Sequence, residues 1–469
     1  IHKNTKQIPK TVYSEKEEGS KVSICSSYSD YEEGYAVAGK INDMRMQNYD
    51  YADFAILYRT NAQSRILEEA LRKKGIPYKI YGGLSFYQRK EVKDVISYLR
   101  LIVNPHDEEA FKRVINYPAR GIGDTTLNKL VVAATDHNVS LWTVLNDPIG
   151  YALPVNNGTA KKLSDFRELI SGFIERNVKL SAEEIAAAVV KESGIVSTLF
   201  QDRSVEGISK QENLQELLKG IAEFCEIRRE EGTEHVSLAD FLSEVSLLTD
   251  QDNDKEEQAN KVTMMTVHAA KGLEFRNVFV VGLEEDLFPS AMSKDNPRAV
   301  EEERRLFYVA ITRAEENCVL THARSRYRNG QSTMCSPSRF LKDIDPKYIY
   351  TSADAVTTNG LLATRRSSVF QQPKAMEGEA YVSPVAQAVG RQARLTRMET
   401  ASLSSAPSSS SAPALSGLHV GAKVRHDRFG EGEVTAIEGE GGNAKATVSF
   451  AHFGQKQLLL KFARLTIVE

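Results

Sequence analysis

Two short apolar runs predict strands of a buried parallel sheet. Residues 262–267 are apolar and β-branched, and residues 278–281 form a second apolar run. Each run is too short for a helix of ordinary length, so both fit strands of an α/β core. Residues 268–275, HAAKGLEF, join them and place an imidazole, an ammonium, a glycine and a carboxylate in one connection. Because loops at strand ends carry chemistry in α/β sheets, this connection is the first candidate site.

The segment that follows predicts a helix and one more strand. In residues 301–314, EEERRLFYVAITRA, apolar residues at helical spacing indicate one buried stripe: Leu306, Val309 and Ala310. Arg313 then lies at or just beyond the end of this helix. Residues 317–321, NCVLT, predict a further short strand. The next arginines are predicted to form a solvated basic cluster: Arg324, Arg326 and Arg328.

The N-terminal part of the chain shows the same alternation of strand and helix. Residues 52–58 predict a strand, residues 62–74 an amphipathic helix, and residues 76–81 a second strand. The apolar face of the helix is formed by Ile66, Leu67, Ala70 and Leu71. Gly75 is expected to end this helix, since glycine adopts the left-handed conformation that helix ends need.

A long, mostly helical insertion is predicted for residues 85–255. Residues 107–110, DEEA, match the acidic tetrad of an ATPase only superficially, because they follow Asn-Pro-His and not an apolar strand. Asp107 is instead expected to cap a helix. Residues 250–258 are acidic and polar and predict a solvated linker that returns the chain to the sheet.

Within this insertion, residues 115–134 contain a Gly-Ile-Gly turn before an amphipathic helix. Two glycines let the backbone approach a phosphate closely, and the following helix offers free N–H groups. A helix–hairpin–helix-like contact with duplex DNA would use Arg120, Gly121, Ile122 and Gly123. Such a contact positions a duplex without reading its bases. The alternative, an ordinary tight turn between two helices, stays open for a bare Gly-x-Gly.

The C-terminal part of the chain changes character twice. Residues 361–416 lose apolar periodicity and include a Ser/Ala/Pro-rich stretch, which predicts disorder. Residues 417–469 alternate short apolar runs with Gly-rich turns and predict a small β module. Opposite charges nearly balance in this module, so it is a poor electrostatic match for DNA.

Composition sets the outer bounds of these predictions. The chain has 469 residues and a net charge of −3, so any DNA contact must come from local patches. Its four cysteines show no metal-ligand spacing or disulfide framework, which fits a reducing cytoplasm. No apolar run reaches about 18 residues, so no membrane partner is expected. The start without Met suggests a C-terminal piece of a longer protein.

Two stretches together resemble motifs V and VI of superfamily 1 DNA helicases of the PcrA/UvrD/Rep group. They are TVHAAKGLEF with the following GLEEDLFPS, and EEERRLFYVAITRA. Residues 57–65, LYRTNAQSR, resemble the motif IV region of the same family. The resemblance implies an α/β fold, with a second RecA-like parallel sheet domain of the P-loop NTPase type. It also implies a large all-helical insertion and a small C-terminal Tudor/SH3-like β-barrel.

The domain organisation implied by the resemblance has five segments. Residues 1–84 and 256–350 would form domain 2A, residues 85–255 the inserted domain 2B, residues 351–416 a linker, and residues 417–469 the barrel. The barrel would dock to RNA polymerase. The inserted domain and domain 2A would together face single-stranded DNA and its junction with the duplex.

The resemblance also implies roles for individual residues. Arg313 would be the arginine finger that neutralises charge on the transferring phosphoryl group of ATP. Glu274 would accept a hydrogen bond from the nucleotide ribose, and Gly272 would let the loop turn close to the nucleotide. Single-stranded DNA would be contacted by Arg59, Asn61, Thr266 and His268. Taken singly, the alternative for each of these is a surface, capping or ion-pairing role.

The sequence lacks the phosphate loop that an NTPase needs. No stretch matches G-x-x-x-x-G-K-[ST], and no strand-borne acidic tetrad is present. ATP and Mg²⁺ would therefore be held mainly by another part of the protein. Two hypotheses follow: the chain is the C-terminal half of an ATP-dependent 3′–5′ DNA helicase, or it is a non-catalytic fragment that binds DNA and RNA polymerase.

Overall fold

A sheet of eight strands, seven of them parallel, forms the centre of the described part of the chain. The computed structural model describes residues 3–5, 13, 19–252, 260–328, 331–351, 418–439 and 444–468. The sheet strands are β1 (Val22–Ser29), β2 (Phe54–Tyr58), β3 (Tyr78–Ile80), β4 (Val262–Thr266), β5 (Phe275–Val280), β6 (Ala314–Arg328), β7 (Gln331–Met334) and β8 (Ile349–Thr351). They lie in the order β3-β4-β2-β5-β6-β1-β8, and the antiparallel β7 pairs with β6.

Twelve helices accompany the sheet in the same described ranges. They are α1 (Asp30–Arg45), α2 (Ser64–Lys73), α3 (Lys90–Val103), α4 (Glu108–Val114), α5 (Asp124–His137), α6 (Leu141–Asn146), α7 (Asn157–Asn177), α8 (Ala182–Glu192), α9 (Ile195–Gln201), α10 (Val205–Glu230), α11 (Leu238–Asp252) and α12 (Pro297–Ile311). Helix α1 packs on β1, β6 and α2, whereas α12 packs on β5 and β6. Helices α3–α11 all lie between β3 and β4 in the chain.

Strand β2 shows why the sheet needs helices on both faces. All five of its residues are buried. Ala55 and Leu57, which point to one face, share an apolar core with Phe307 and Ala310 of α12. The residues between them point to the opposite face. A strand buried on both sides is the pattern of a parallel sheet, and the predicted α/β fold class is confirmed.

The inserted helices have an apolar core of their own. Its centre includes Phe111, Phe166, Ile170 and Phe173, and Trp142 is only 8% exposed beside them. Asp107 caps α4, because its carboxylate accepts the backbone N–H of Ala110 at 3.0 Å, as predicted. The all-helical character of the insertion is confirmed, while the boundaries of the five predicted segments stay a prediction.

The predicted C-terminal β module is a five-stranded antiparallel sheet. Its strands are β9 (Lys423–His426), β10 (Gly430–Glu438), β11 (Lys445–Phe450), β12 (Gly454–Leu459) and β13 (Leu465–Ile467), in the order β12-β11-β10-β9-β13. Alternate residues of β11 are buried, which is the expected pattern for a strand with one face on a core. Residues 361–416 and most of the predicted acidic linker 250–258 lie outside the described residues.

Strand β6 differs most from its prediction. It runs for 15 residues, well beyond the predicted 317–321, and carries Arg326 into the interior. The side chain of Arg326 is 10% exposed and pairs with Glu33 at 2.8 Å and with Glu284. The prediction that Arg326 belongs to a solvated basic cluster is therefore wrong. Arg324 is exposed as predicted.

No helix in the described ranges is both long and apolar enough to cross a membrane.

Candidate functional site

The carboxyl ends of β2 and β4 bring four predicted DNA-contact residues to one edge of the sheet. The two strands pair in parallel with Tyr58 opposite Thr266, and the N–H of Val267 donates to the carbonyl of Tyr58 at 2.9 Å. The residues that follow each strand therefore lie side by side. They are Arg59 and Asn61 after β2, and Thr266 and His268 at the end of β4.

Arg59 is held in place by a carboxylate of α12. Its Nε and Nη2 atoms donate to both carboxylate oxygens of Glu303, at 2.9 Å to Oε2 and 2.6 Å to Oε1. Glu303 is only 4% exposed and also accepts the backbone N–H of Ser290. In the described ranges, no bond is recorded from Nη1 of Arg59. One edge of the guanidinium thus orients the side chain, and the other can still meet a phosphate.

The other three groups at this edge keep polar atoms available. His268 is exposed, and its pKa is lowered by partial burial of the ring and by the positive charge of Arg59. Its imidazole is therefore neutral at neutral pH. The hydroxyl of Thr266 accepts the N–H of Ala269 at 3.3 Å, which leaves its own proton free to donate. Asn61 is exposed, and its side-chain amide donates to the hydroxyl of Ser209 of α10 at 3.5 Å.

The opposite, amino-terminal edge of the sheet brings Glu274 and Arg313 together. Strands β5 and β6 pair in parallel with Phe275 opposite Ala314, and the N–H of Phe275 donates to the carbonyl of Arg313 at 2.9 Å. Glu274 and Arg313 directly precede these paired residues and so lie at the starts of adjacent strands. Glu274 is exposed and follows a turn.

Arg313 is bound only by neutral acceptors. Its guanidinium donates to the carbonyls of Leu273 at 2.7 Å and Val309 at 3.1 Å, and to the hydroxyl of Thr312 at 3.2 Å. Within the described part of the chain, no carboxylate pairs with it. A half-buried guanidinium without a counter-charge is oriented but not neutralised, which is the state an anionic ligand can use.

Two segments join the two edges of the sheet. The loop of residues 267–274 starts at the carboxyl end of β4 and finishes at the amino end of β5. It turns at Gly272, whose φ of 90° lies in the left-handed region that favours glycine. Helix α12 runs in the same direction, from Glu303 near one edge to Arg313 just past its end. Arg313 donates to the carbonyl of Leu273, so the end of the loop and the end of α12 are joined by a hydrogen bond at the amino edge.

Glu303 is the functional candidate that the sequence interpretation missed. The buried residues of α12 include Val300, Glu303, Phe307 and Ala310, whereas Leu306 and Val309 of the predicted stripe are half-buried. The spacing of three, four and three residues puts a carboxylate in the middle of an apolar stripe. A charged residue at such a position was the signal available in the sequence.

The Gly-Ile-Gly turn before α5 differs in part from its prediction. Arg120 donates from Nη1 to the carbonyls of Val114 and Tyr117, and from Nη2 to the carbonyl of Ser193 and the hydroxyl of Tyr98. The prediction that Arg120 offers a cation to DNA does not fit these contacts, because its donors point into the insertion. Its guanidinium instead ties the turn to α3 and to the end of α8.

The remaining groups of this turn are partly engaged as well. Gly121 has a φ of 71°, and Ile122 is buried at 1% exposure. The N–H of Ile122 donates to Asn116, and the ammonium of Lys162 donates to the carbonyl of Gly121 at 3.2 Å. Gly123 precedes the first turn of α5, where Asp124 adds a negative charge. Lys162 is thus the cation beside the turn, a position that the sequence did not reveal.

One stretch matches most of the phosphate-loop sequence pattern but is part of a helix. Gly34, Gly39 and Lys40 have the spacing G-x-x-x-x-G-K, and Ile41 stands where a serine or threonine would follow. All of these residues lie inside α1, so the backbone N–H groups are used within the helix. Among the described residues, no three carboxylate, imidazole or thiol groups are arranged to hold a metal ion.

Two family models match the sequence. Residues 1–325 match the UvrD-like helicase C-terminal domain, and residues 420–466 match the PcrA/UvrD tudor domain. The first match covers more than half of the chain, so the chain belongs to the UvrD-like helicase family. The tudor match falls on the antiparallel module of β9–β13.

Individual relatives agree with this assignment. DNA helicase II of Escherichia coli (strain K12) is 34% identical over 468 residues, which cover 100% of this chain and 59% of that protein. ATP-dependent DNA helicase PcrA of Bacillus subtilis (strain 168) is 35% identical over 472 residues, covering 99% and 59%. PcrA of Staphylococcus aureus (strain NCTC 8325 / PS 47) is 36% identical over 469 residues, again covering 99% and 59%. The chain thus spans less than two thirds of the length of these relatives.

Proposed function

We propose that this chain is the C-terminal part of an ATP-dependent 3′–5′ DNA helicase that moves along single-stranded DNA in repair or replication. The observation that carries the proposal is the placement of Glu274 and Arg313 at the starts of two adjacent strands, with the guanidinium of Arg313 oriented but not neutralised. The names of the relatives support the helicase activity. The polarity follows the resemblance of motifs V and VI.

On the nucleotide side, Arg313 would meet the γ-phosphate of ATP. A planar, permanently charged guanidinium can stabilise the charge that spreads over the transferring phosphoryl group. Glu274, exposed beside it, would accept a hydrogen bond from the ribose, and Gly272 would keep the loop close. The phosphate loop and the ligands of Mg²⁺ would come from a segment outside this chain, because the sequence contains no G-x-x-x-x-G-K-[ST] pattern.

On the DNA side, the opposite edge of the sheet would form part of the track. The free edge of Arg59 and the hydroxyl of Thr266 suit phosphate oxygens, while neutral His268 suits a sugar or phosphate acceptor. Asn61 would add an amide at the entrance to the insertion. The Gly121–Gly123 turn with Lys162 would position the duplex at the junction, as a contact to the backbone and not to bases.

The finger assignment is tested in the full-length protein, with the phosphate-loop segment present. We expect Arg313→Ala to lower the rate of ATP hydrolysis about 10³-fold while the affinity for single-stranded DNA is kept. Arg305→Ala is the matched control, because Arg305 lies on the same helix and pairs at the surface with Glu302. Hydrolysis retained by Arg313→Ala would refute the assignment.

A second hypothesis treats the chain alone as a non-catalytic fragment that binds DNA and RNA polymerase. It is favoured by the absence of a phosphate loop from the sequence. ATP turnover by this chain alone, above the background without protein, would exclude it. The tudor match supports a protein-interaction role for residues 417–469 in a cytoplasmic helicase. Recovery of RNA polymerase that is unchanged after deletion of residues 417–469 would count against that role.

A further inference from the structure

The turn between β9 and β10 of the C-terminal barrel inserts a charged residue into the rest of the fold. Arg428 is only 7% exposed although it lies on a turn. Its Nη2 atom pairs with Glu226 at 2.6 Å, and its Nη1 atom pairs with Glu230 at 3.4 Å. The two glutamates are one helical turn apart on α10, so they present a double carboxylate to one guanidinium.

His426, close to Arg428 at the end of β9, is hydrogen-bonded to the carboxylate of Glu230 as well. The Nδ1 atom of His426 accepts the backbone N–H groups of Arg428 and Phe429, at 3.1 and 3.3 Å. Its proton therefore sits on Nε2, which donates to Glu230 at 3.0 Å. His426 and Glu230 are both 1% exposed. The contact is thus a directed hydrogen-bond network and not a loose meeting of surface charges.

The barrel also contacts the first helix of the sheet domain. The ring of Phe453 stacks on Tyr31 with the centroids 5.4 Å apart and the planes 5° from parallel, and it lies 4.5 Å from the ring of Tyr35. The hydroxyl of Ser29 donates to the carbonyl of Arg428 at 2.6 Å. Gly430, whose φ of 75° lies in the left-handed region that favours glycine, passes so close to Glu32 that a Cβ there would lie 2.6 Å from the carboxylate.

These contacts bridge two parts of the fold. Tyr31 and Ser29 belong to the sheet domain, whereas Glu226 and Glu230 belong to α10 of the insertion. Near the barrel, α10 meets the sheet domain through ion pairs: Lys219 with Asp30, and Arg65 with both Glu216 and Glu223. The barrel therefore covers the junction from outside and is bonded to both of its sides.

We propose that the barrel is a releasable clamp, which fixes the orientation of the helical insertion on the sheet domain by docking Arg428 and Phe453 onto α10 and α1. Buried ion pairs fix the relative position of two surfaces more than they add to the free energy of binding, because the cost of desolvating the charges offsets much of their attraction. A contact held in this way is specific and can still open. A protein that offers two glutamates one turn apart beside an aromatic ring would compete for the same face of the barrel.

The docking is tested on the whole chain by hydrogen exchange. We expect Arg428→Glu to raise the exchange rate at least tenfold in α10 around Glu226–Glu230 and in the β9–β10 turn, while β2 and β5 stay protected. Glu226→Arg changes the helix and leaves the barrel intact, and we expect it to release the same two segments. Lys423→Glu, an exposed change of the same kind on β9, is the control and should change neither. Unchanged exchange in both charge-reversal variants would overturn the docking.

The clamp is tested by the distance between the two parts that it bridges. Spin labels are placed at Met46→Cys on the sheet domain and Ile149→Cys on the insertion, both highly exposed positions, after replacement of the four native cysteines by alanine. We expect one narrow distance distribution, which broadens or shifts in Arg428→Glu and Glu226→Arg. A distribution unchanged after the barrel is released would overturn the clamp. A dimer that dissociates in these variants would also overturn it, because the barrel would then dock on a second copy. Neither outcome bears on ATP hydrolysis, so this inference stands apart from the proposed function.

Discussion

The charged residues at the domain junction and those at the two sheet edges contrast in how completely they are paired. At the junction, Arg326 meets Glu33, Glu284 and Asp30, and all four are buried or nearly so. At the amino edge, the partners of Arg313 among the residues that the structure describes are carbonyls and a hydroxyl. The guanidinium of Arg326 is thus neutralised by carboxylates, whereas that of Arg313 keeps its positive charge available to a ligand.

The difference indicates which charges serve the fold and which can serve a ligand. A buried charge without a partner is strongly destabilising, so the fold must pair every charge that it buries. A charge at an exposed edge is solvated by water, so it needs no carboxylate partner and remains available to bind a ligand of opposite charge. The burial of Asp30 alone would raise its pKa, but the cations of Lys219 and Arg326 outweigh this and lower it. The junction charges are therefore part of the architecture.

The largest expected effect separates the two arginines by their contribution to folding. We expect Arg326→Met to lower the free energy of unfolding by about 3–5 kcal/mol, because it leaves Glu33 and Glu284 buried without a counter-charge. Arg313→Met, the matched control, should cost about 1 kcal/mol, since it removes only hydrogen bonds to neutral groups. Both values are measured by urea denaturation of this chain. Equal losses would show that the two arginines are equally structural.

Arg120 is expected to behave like the junction group although it lies in a predicted DNA contact. Arg120→Ala removes the guanidinium bonds to the carbonyls of Val114, Tyr117 and Ser193, so the free energy of unfolding should fall by about 2–3 kcal/mol. Lys162→Ala should leave stability unchanged, and it should reduce the salt dependence of duplex-DNA binding by about one phosphate contact. A stable Arg120→Ala variant with weakened DNA binding would restore the original prediction.

Glu303 combines features of the junction and of the edges, because it is buried and yet binds Arg59 at the carboxyl edge. We expect Glu303→Gln to lower the free energy of unfolding by about 1–2 kcal/mol, since the charge-assisted bonds to Arg59 are lost. The affinity for single-stranded DNA should fall several-fold as Arg59 loses its orientation. Glu302→Gln is the control, because Glu302 is the exposed neighbour on the same helix. Unchanged DNA affinity in Glu303→Gln would separate Arg59 from the DNA track.

The smallest expected effect is a pH dependence at the carboxyl edge. The pKa of His268 lies below the ordinary value of 6.5, so the ring is neutral at pH 7 and gains a proton only as the pH falls further. Protonation adds a positive charge beside Arg59 and should raise the affinity for single-stranded DNA a few-fold below that value. His268→Gln should remove this rise. A rise of the same size in His268→Gln would assign it to another group.

The sequence predicted those elements whose neighbours in the chain determine them. The short apolar runs gave β4 and β5, and Gly75 ends α2 with a φ of 65°, because periodicity and backbone preference act locally. The phase of α12 was misjudged, since the face that meets the sheet decides which residues are buried. Arg326 was expected in solvent because nothing near it in the chain shows that α1 packs on β6 and supplies carboxylate partners for Arg326.

For the candidate site too, the sequence predicted the local features and not the long-range contacts. The resemblance supplied the residue types at both edges, but the partner of Arg59 depends on Glu303, 244 positions away in the chain. Arg120 shows the reverse case, since a turn that fits a phosphate contact in sequence uses its cation internally. Long-range partners decide whether a charge is open or saturated, and those partners are set by the fold.

Helix α12 gives the link between the two edges a mechanical character. Its 15 residues make a rod of about 22 Å. Glu303 lies near the middle of this helix and bonds Arg59 at the carboxyl edge, and the helix ends two residues before Arg313 at the amino edge. Under the proposed function, a displacement of Arg313 by a bound nucleotide would be passed along this helix to Glu303 and so to Arg59 at the opposite edge of the sheet.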